Sequence, residues 1–395
     1  MHRCIITFLK KNPVILQICW KFAKVVLQFI SLFIVKHPKQ ILFASFGGRS
    51  FNDSPRALYN EICKRDEFKD WDLVWAFVEP NKVKIPRGRK IKIDSLAFFL
   101  SLLQSKVWIC NSSMDRSISL KIKGVVRVET WHGTPLKKIG GDEHQNTIGG
   151  KKYFQKKEMD VDTIRCAQSE YDQNLFQRIF HTTKECILLC DLPRNDNLLK
   201  YTSSEIDDIK KKIGIDKYRK VILYAPTFRE YLWDENGNHL MVPPISLKKW
   251  EAFLSKDYIL LFRAHYSVGT ALNVIANDFV KDVSDYPELN DLYAISDIMI
   301  SDYSSTFFDY SILDKPMFCF AYDLKEYQEK RGLYLDLQKT LPCKIHTDED
   351  SLLLDILNTD IVKSSDATRI FHQKFAPYAG HACEKVVNEI IRRLK

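Results

Sequence analysis

The chain has 395 residues, 45% of them apolar, which is enough material for two hydrophobic cores rather than one. Its formal net charge is +9, and seven of these charges fall within residues 1–40, which contain no acidic residue: Arg3, Lys10, Lys11, Lys21, Lys24, Lys36 and Lys39. This concentration of positive charge on an apolar segment argues against a nucleic-acid-binding surface. The ten scattered cysteines argue against a disulfide scaffold and favour a reducing cytoplasm.

A long amphipathic helix is predicted over residues 13–35, with Asn12 as its N-cap and Pro13 in its first turn. At about 100° per residue its polar residues share a stripe roughly 80° wide: Gln17, Lys21, Lys24, Gln28 and Ser31. A membrane-spanning position would bury Lys21 and Lys24 at about 2.5–3.5 kcal/mol each. We therefore expect the helix to lie in the membrane interface, with packing on the protein or a true span as the alternatives.

After Pro38, short apolar runs alternate with helical stretches, which is typical of an α/β protein with parallel sheets. Strands are predicted at 41–46, 73–77, 107–110, 125–129 and 164–167, and again at 221–225, 259–262, 297–300 and 317–320. Helices are predicted at 95–104, 204–213 and 307–313. Two α/β halves joined near residue 200 predict two Rossmann-like domains that face a cleft, following the N-terminal helix.

Two histidines follow predicted strands, one in each half. His132 lies in a sharp turn with Gly133 and Pro135, and Thr134, Lys137 and Lys138 come within reach of the same sheet edge. Arg263 and His265 end the strand at 259–262, so that an arginine able to bind phosphate precedes a histidine able to transfer a proton. A strand-end salt bridge is the alternative for the second pair.

Hydroxyl groups gather where the strand at 297–300 meets the next helix. The run 301–306 contains Ser301, Asp302, Ser304, Ser305 and Thr306, and a helix N-terminus there favours a phosphate. A capping box between Thr306 and Asp309 is the alternative, and both interpretations can hold together. Arg229, after the strand at 221–225, adds a guanidinium at this sheet edge, whereas Arg331 is equally well explained as a surface arginine.

The motifs together resemble the CDP-glycerol glycerophosphotransferase family. The resemblance rests on the runs 131–137 (WHGTPLK), 192–196 (LPRND), 224–229 (YAPTFR), 263–265 (RAH), 301–305 (SDYSS) and 331–334 (RGLY). It implies a fold of the glycosyltransferase B type, and a role in teichoic acid or capsule polymer synthesis on the cytoplasmic face of the bacterial membrane. It also implies that His132 and His265 are the essential pair and that Ser304, Ser305 and Arg229 help to hold the donor.

On this basis we expect a membrane-associating helix at 1–39, an acceptor-side domain at 40–200 and a domain for the CDP-linked donor at 201–395. The expected reaction transfers a polyol phosphate, glycerol phosphate first, from a CDP-polyol to a hydroxyl of a lipid-linked saccharide or growing polymer, and releases CMP. His132 is assigned as the base, Arg263 with His265 as the group that stabilises or protonates the leaving group, and these roles are exchangeable. Arg229, Arg263, Asp302, Ser304, Ser305 and Thr306 are the predicted donor-binding residues, and Thr134, Lys137 and Arg331 are possible phosphate or acceptor contacts.

We expect no metal or other cofactor, no nucleic acid, and a peripheral position on an anionic membrane surface. Three alternatives remain: a ribitol-phosphate transferase of the same family, a nucleotide-sugar glycosyltransferase of the same fold, and a catalytically silent membrane scaffold.

Overall fold

A computed structural model describes most of the chain. It covers residues 13–114, 118, 120, 122–143, 163–216, 218–229, 231–232, 239–241, 243–264, 268–271 and 277–395, with no side-chain description at 13–20, 239–241 and 268–271. The chain divides into two compact units. The first comprises Met1–His132, Asp162–Cys166 and Cys383–Lys395, and the second comprises Gly133–Val161 and Ala167–Ala382.

The first unit is built on a parallel sheet whose strands follow the order β3-β2-β1-β4-β5-β6. Its strands are β1 (Gln40–Ala44), β2 (Asp72–Phe77), β3 (Arg89–Lys92), β4 (Val107–Cys110), β5 (Val126–Glu129) and β6 (Thr163–Ala167). Its helices are α1 (Pro13–Ser31), α2 (Asp53–Lys64), α3 (Leu96–Gln104) and, at the end of the chain, Ala382–Leu394. The order is that of a doubly wound dinucleotide-binding fold, whose strand order reverses between β1 and β4.

The second unit repeats this arrangement. Its six-stranded parallel sheet follows the order β12-β10-β8-β13-β14-β15. These strands are β8 (Lys220–Tyr224), β10 (Tyr258–Phe262), β12 (Val280–Asp282), β13 (Ile298–Ser301), β14 (Met317–Phe320) and β15 (Ile345–His346). The strand order therefore reverses between β8 and β13, which is where such sheets bind their ligands.

The second unit also contains short strands outside this sheet, and helices. The short strands are β7 (Ile187–Leu189), β9 (His239–Met241) and β11 (Val268–Ala271), the last two forming a parallel pair. The helices are Glu170–Phe180, Ser203–Ile213, Leu247–Leu254, Leu289–Ile295, Thr306–Ser311, Leu324–Lys330, Leu337–Thr340, Glu349–Asn358 and Ile361–Phe375.

Buried apolar side chains explain why these strands form. Every residue of β1, β4 and β10 is buried, which is the pattern of a sheet covered on both faces. On one face of the first sheet Trp75 stacks on Phe43 with ring centroids 5.1 Å apart, and on Phe77 at 5.6 Å. The predicted α/β class and the predicted strands are confirmed, with bounds that differ by one or two residues.

The N-terminal helix α1 has both a packed and an exposed side. Leu27, and Ile34 beyond the helix end, pack against the core of the first unit. Phe22, Phe29 and Phe33 instead expose 71%, 61% and 72% of their surface, which is unusual for phenylalanine. Within the part of the chain that the structure describes, none of the helices has both the length and the apolarity needed to cross a membrane.

One local alternative, the capping box from Thr306 to Asp309, is wrong. The helix that follows β13 runs over Thr306–Ser311 rather than 307–313, and its N-cap, Ser305, makes no side-chain capping hydrogen bond. Asp309 does not form a capping box with Thr306, because its carboxylate is bound by residues more than a hundred positions earlier in the chain. The predicted boundaries 1–39, 40–200 and 201–395, and the predicted cleft, stay predictions.

Candidate active site

Asn111 spans the point in the first sheet where the strand order reverses. It directly follows β4, its side chain is fully buried, and its Oδ1 accepts a hydrogen bond from the backbone N–H of Phe46, 2.8 Å away, just after β1. Its Nδ2 lies 3.0 Å from Oδ1 of Asp53 and 3.4 Å from Oγ of Ser45. One amide side chain thus joins the ends of β1 and β4 to the start of α2.

His132 lies at the same sheet edge, after β5, and its ring is exposed. Its Nδ1 is 3.0 Å from the backbone carbonyl oxygen of Asn111. A carbonyl oxygen can only accept, so Nδ1 must carry the proton, and in the neutral ring Nε2 then carries the lone pair. The ring lies against Trp131 at 4.2 Å and against the edge of Phe46 at 6.1 Å between centroids. In that tautomer Nε2 is the ring nitrogen that can accept a proton.

Asp302 occupies the corresponding position in the second sheet. It directly follows β13, and its Oδ1 accepts a hydrogen bond of 2.9 Å from the backbone N–H of Thr227, just after β8. Its Oδ2 lies 2.9 Å from Nη1 of Arg229. Both sheets therefore join their two central strand ends through a buried Asn or Asp side chain.

Arg229 is 1% exposed, and its guanidinium is surrounded by protein groups. Nε and Nη2 donate to the carboxylate of Asp323 at 2.6 Å and 2.8 Å. Three tyrosine rings lie 4.9–5.2 Å from its Cζ: Tyr303, Tyr322 and Tyr327. These are the contacts of a residue that holds the loop after β13 in place. Direct donor binding by Arg229, and by the equally buried Asp302, stays a prediction.

Ser304, Ser305 and Thr306 are partly exposed at the carboxyl end of β13. Ser304 Oγ accepts a hydrogen bond of 3.2 Å from the N–H of Thr306, and Thr306 Oγ1 donates to Ser301 Oγ at 3.3 Å. Gly133 lies directly against Ser305, because a Cβ added to Gly133 would stand 2.7 Å from the Cβ of Ser305. The glycine of the run 131–137 is thus required for close approach to the run 301–305.

Asp309 joins three of the sequence motifs inside the second unit. Its Oδ2 binds Nη2 of Arg194 at 2.6 Å, and its Oδ1 accepts from Asn195 Nδ2 at 2.8 Å and Gln168 Nε2 at 3.2 Å. Gln168 Oε1 in turn accepts from the N–H of Thr134 at 3.2 Å. Thr134 is fully buried in this network, and its predicted contact with phosphate or acceptor stays a prediction.

Two further carboxyl groups are buried beside this network. Burial raises the pKa of Asp172 to about 7, although hydrogen bonds from Thr134 and Gln168 oppose the rise. Burial likewise raises the pKa of Asp191 to about 8. Oδ1 of Asp172 and Oδ2 of Asp191 have no hydrogen-bond partner among the residues that the structure describes. Both groups therefore bind a proton at a higher pH than an ordinary aspartic acid does.

Of the predicted site residues Arg263, His265 and Arg331, the structure describes the two arginines. Arg263 donates through Nη1 to the carbonyl oxygens of Val283 and Tyr286 at 3.0 Å and 2.8 Å, and burial lowers its pKa. His265 lies outside the described residues. Arg331 is 5% exposed and binds the carbonyl of Lys138, with Glu143 at 3.4 Å, and its predicted contact with phosphate or acceptor stays a prediction.

Lys137 lies in a short backbone pairing with Leu333, and its Nζ stands 5.8 Å from the centre of the Phe228 ring. Its phosphate contact stays a prediction.

Asn111, Gln168 and Arg194 were not predicted as site residues. Asn111 could have been found, since it is a polar residue directly after a buried apolar strand at the point of strand-order reversal. Gln168 and Arg194 reach Asp309 across 141 and 115 positions of sequence, and no local pattern signals that contact. Within the described residues, no group of three or more His, Cys, Asp or Glu side chains is arranged to hold a metal ion.

Comparison with known proteins identifies the family that this chain matches. The sequence model described as CDP-Glycerol:Poly(glycerophosphate) glycerophosphotransferase matches residues 26–392. The teichoic acid glycerol-phosphate transferase of Staphylococcus aureus is 33% identical over 369 residues, which cover 89% of this chain and 92% of that protein. The teichoic acid poly(glycerol phosphate) polymerase of Staphylococcus epidermidis is 30% identical over 90% of this chain, which spans only 51% of that longer protein.

A solved structure is also similar. A variant of the wall teichoic acid polymerase TagF soaked with CDPG superposes with a TM-score of 0.83 at 28% identity, covering 100% of this chain and 98% of that one. Teichoic acid polymerases and primases for ribitol phosphate match with 24–29% identity. The expected family resemblance and the α/β fold with two parallel sheets are confirmed.

Proposed function

Because the chain belongs to the CDP-glycerol:poly(glycerophosphate) glycerophosphotransferase family, we propose that it transfers glycerol phosphate from CDP-glycerol to a hydroxyl of a lipid-linked acceptor or growing polymer. The acceptor oxygen attacks the β-phosphorus of the donor, and the bond from that phosphorus to the bridging oxygen breaks, which releases CMP. The observation that carries this proposal is the family match over residues 26–392. Teichoic acid synthesis is the context that the relatives supply, and capsule synthesis is the second possible context.

His132 is the proposed base. Phosphoryl-group transfer depends mainly on positioning and on stabilising charge, so the protein has to supply a proton acceptor and a cradle for the phosphates. The hydrogen bond from His132 Nδ1 to Asn111 leaves Nε2 as the basic nitrogen of the neutral ring. The acceptor hydroxyl transfers its proton to Nε2 as its oxygen attacks.

The run 301–306 is the proposed cradle. Its partly exposed hydroxyls, Ser304, Ser305 and Thr306, follow β13 where the strand order of the second sheet reverses, which is where open α/β sheets bind nucleotides. Lys137 adds a cation for the phosphates. Arg263 and His265 are proposed to stabilise or protonate the leaving group, and Arg229 to keep the loop in place through Asp302 and Asp323.

We propose glycerol rather than ribitol as the polyol, because the glycerol-phosphate relatives reach 30–33% identity and the ribitol-phosphate relatives 24–29%. The chemistry needs no metal in this proposal, so treatment with EDTA is expected to leave CMP release unchanged.

The proposed location is the cytoplasmic face of the cell membrane. Phe22 and Phe29 expose apolar surface on the helix that also carries Lys21 and Lys24, and Phe33 exposes apolar surface just beyond its end. Aromatic rings in the acyl boundary beside lysines at the level of the headgroups are the arrangement of an interfacial helix on anionic lipid.

A panel of donors tests the function. Purified protein is incubated with membrane acceptor and with CDP-glycerol, CDP-ribitol or a UDP-sugar, and released CMP or UDP is measured. We expect CMP from CDP-glycerol. Product from CDP-ribitol alone would assign the ribitol reaction, product from the UDP-sugar alone would assign a glycosyltransferase, and failure to bind any cytidine nucleotide would leave a membrane scaffold.

A further inference from the structure

Asn111 is placed to control both the position and the proton of His132. Its backbone carbonyl holds Nδ1 of the imidazole at 3.0 Å, while its side chain is held by three other groups. These are the N–H of Phe46 at 2.8 Å, Oδ1 of Asp53 at 3.0 Å and Oγ of Ser45 at 3.4 Å. These hydrogen bonds anchor Asn111 to the end of β1 and the start of α2, and with it the backbone segment that carries the carbonyl bound by His132.

Phe46 forms a second link between the hydrogen bonds of Asn111 and the imidazole of His132. Its N–H is bound by Asn111, and its ring lies 6.1 Å from the ring of His132 at an angle of 62°. Phe46 has a positive φ of 45°, in a backbone region that few residues adopt without support. The hydrogen bond to Asn111 supplies that support, so displacing Asn111 moves both neighbours of His132.

The chemical type of residue 111 also matters. A carboxylate side chain at this position would add a negative charge near the imidazole and stabilise the imidazolium, whereas the neutral side chain of Asn111 adds no charge and leaves the backbone carbonyl to orient the ring. In the second sheet the corresponding position holds a carboxylate, Asp302, whose charge is neutralised by Arg229 at 2.9 Å. In the first sheet the neutral Asn111 holds this position. The nearby carboxylate, Asp53, is bound to the side chain of Asn111 and not to the histidine directly.

We propose that Asn111 is the positioning residue of His132, and that its hydrogen bond to Asp53 keeps the imidazole in the tautomer with a basic Nε2. The inference rests on the proposed function only for its kinetic readout, since the tautomer can be measured without turnover.

The kinetic test exchanges the hydrogen-bond donor and acceptor between positions 111 and 53. Asn111→Asp keeps the size of the side chain but removes the donor to Asp53 and places two carboxylates together. We expect kcat for CMP release from CDP-glycerol to fall roughly 100-fold, a loss of about 2.7 kcal/mol in transition-state stabilisation, with KM for CDP-glycerol unchanged. The double variant Asn111→Asp/Asp53→Asn restores a donor and an acceptor in exchanged places, and we expect it to recover most of kcat.

Asn60→Asp is the matched control, because Asn60 is exposed on α2 and the substitution is chemically the same. Full activity in Asn111→Asp, or a double variant no better than a correctly folded Asn111→Asp, would overturn the proposal.

The tautomer is the second test, and it uses the wild-type protein. ¹⁵N NMR of the histidine-labelled chain, with the His132 resonances assigned by comparison with His132→Gln, distinguishes a protonated from an unprotonated ring nitrogen. We expect Nδ1 to be protonated and Nε2 to be unprotonated at neutral pH. The opposite tautomer would overturn the inference even if the enzyme is active, and the expected tautomer in a protein that releases no CMP would refute only the proposed function.

Discussion

In the second unit the buried Gly133 lies against the partly exposed Ser305, with no room for a side chain on the glycine. A Cβ on Gly133 would stand 2.7 Å from the Cβ of Ser305 and closer still to its Oγ, and the φ of Gly133 is 142°. Ordinary side chains tolerate neither the contact nor this backbone conformation.

Gly133→Ala is therefore expected to displace Ser305 from the proposed cradle. We predict a rise in KM for CDP-glycerol and a fall in kcat/KM of roughly tenfold or more, about 1.4 kcal/mol. The measurement is the steady-state rate of CMP release. Gly141→Ala is the control, because nothing lies within 4 Å of its added Cβ, and an equal loss in both variants would remove the special role of Gly133.

Arg229→Lys tests the support of the loop after β13. Lysine keeps the charge but not the planar fork that binds Asp302 and Asp323 together. We expect the free energy of unfolding to fall on the order of 3 kcal/mol, since the change leaves buried carboxylates poorly bound. Denaturant unfolding measures this fall, and Arg219→Lys, at a residue that binds backbone carbonyls, should cost less than about 1 kcal/mol.

The raised pKa values of Asp172 and Asp191 predict a pH-dependent stability. The folded state binds these protons more tightly than the unfolded chain, so the stabilisation is complete at low pH. It declines as the pH rises above about 4, the ordinary pKa of an aspartic acid, and is fully lost once the pH has passed about 7 for Asp172 and about 8 for Asp191. Between pH 7 and 9 we expect a loss of about 1–2 kcal/mol.

Asp191→Asn imitates the protonated acid and is expected to flatten this dependence, as followed by thermal unfolding at pH 6–9. The exposed Asp207→Asn should keep the wild-type slope. A slope unchanged in Asp191→Asn would mean that other groups control alkaline stability.

Much of the fold could be predicted because it depends on local patterns. The apolar runs at 107–110 and 317–320 became strands with the predicted bounds, and Gly214 ends its helix with a φ of 76° as expected of a C-cap. His132 was recognisable because a sharp turn after a strand presents side chains at a sheet edge.

The rest depends on contacts between residues far apart in sequence. The pattern from Thr306 to Asp309 has the local form of a capping box, but the carboxylate is taken by Arg194 and Asn195. Arg229 follows a strand, as a phosphate-binding arginine would, but nothing in its local sequence indicates the pairing of its guanidinium with Asp323, 94 positions later. Periodicity and spacing do not encode such pairings.

The exposed face of α1 predicts binding to anionic membranes. We expect Phe22→Ser/Phe29→Ser/Phe33→Ser to weaken binding to vesicles that contain anionic lipid by roughly 100-fold or more, since each buried phenylalanine contributes about 1.5–3 kcal/mol. Vesicle sedimentation provides the measurement. Leu199→Ser/Tyr218→Ser removes side chains of 57% and 82% exposure elsewhere and should bind like wild type. Equal binding by both variants would assign the contact to another surface.

The most direct test of the account is CMP release from CDP-glycerol by His132→Ala in the presence of membrane acceptor, with His37→Ala as the control at an exposed histidine. Loss of a general base is predicted to lower kcat by roughly 10²–10⁴ and to leave the Kd for CDP-glycerol unchanged. Near-normal CMP release by His132→Ala would contradict the mechanism.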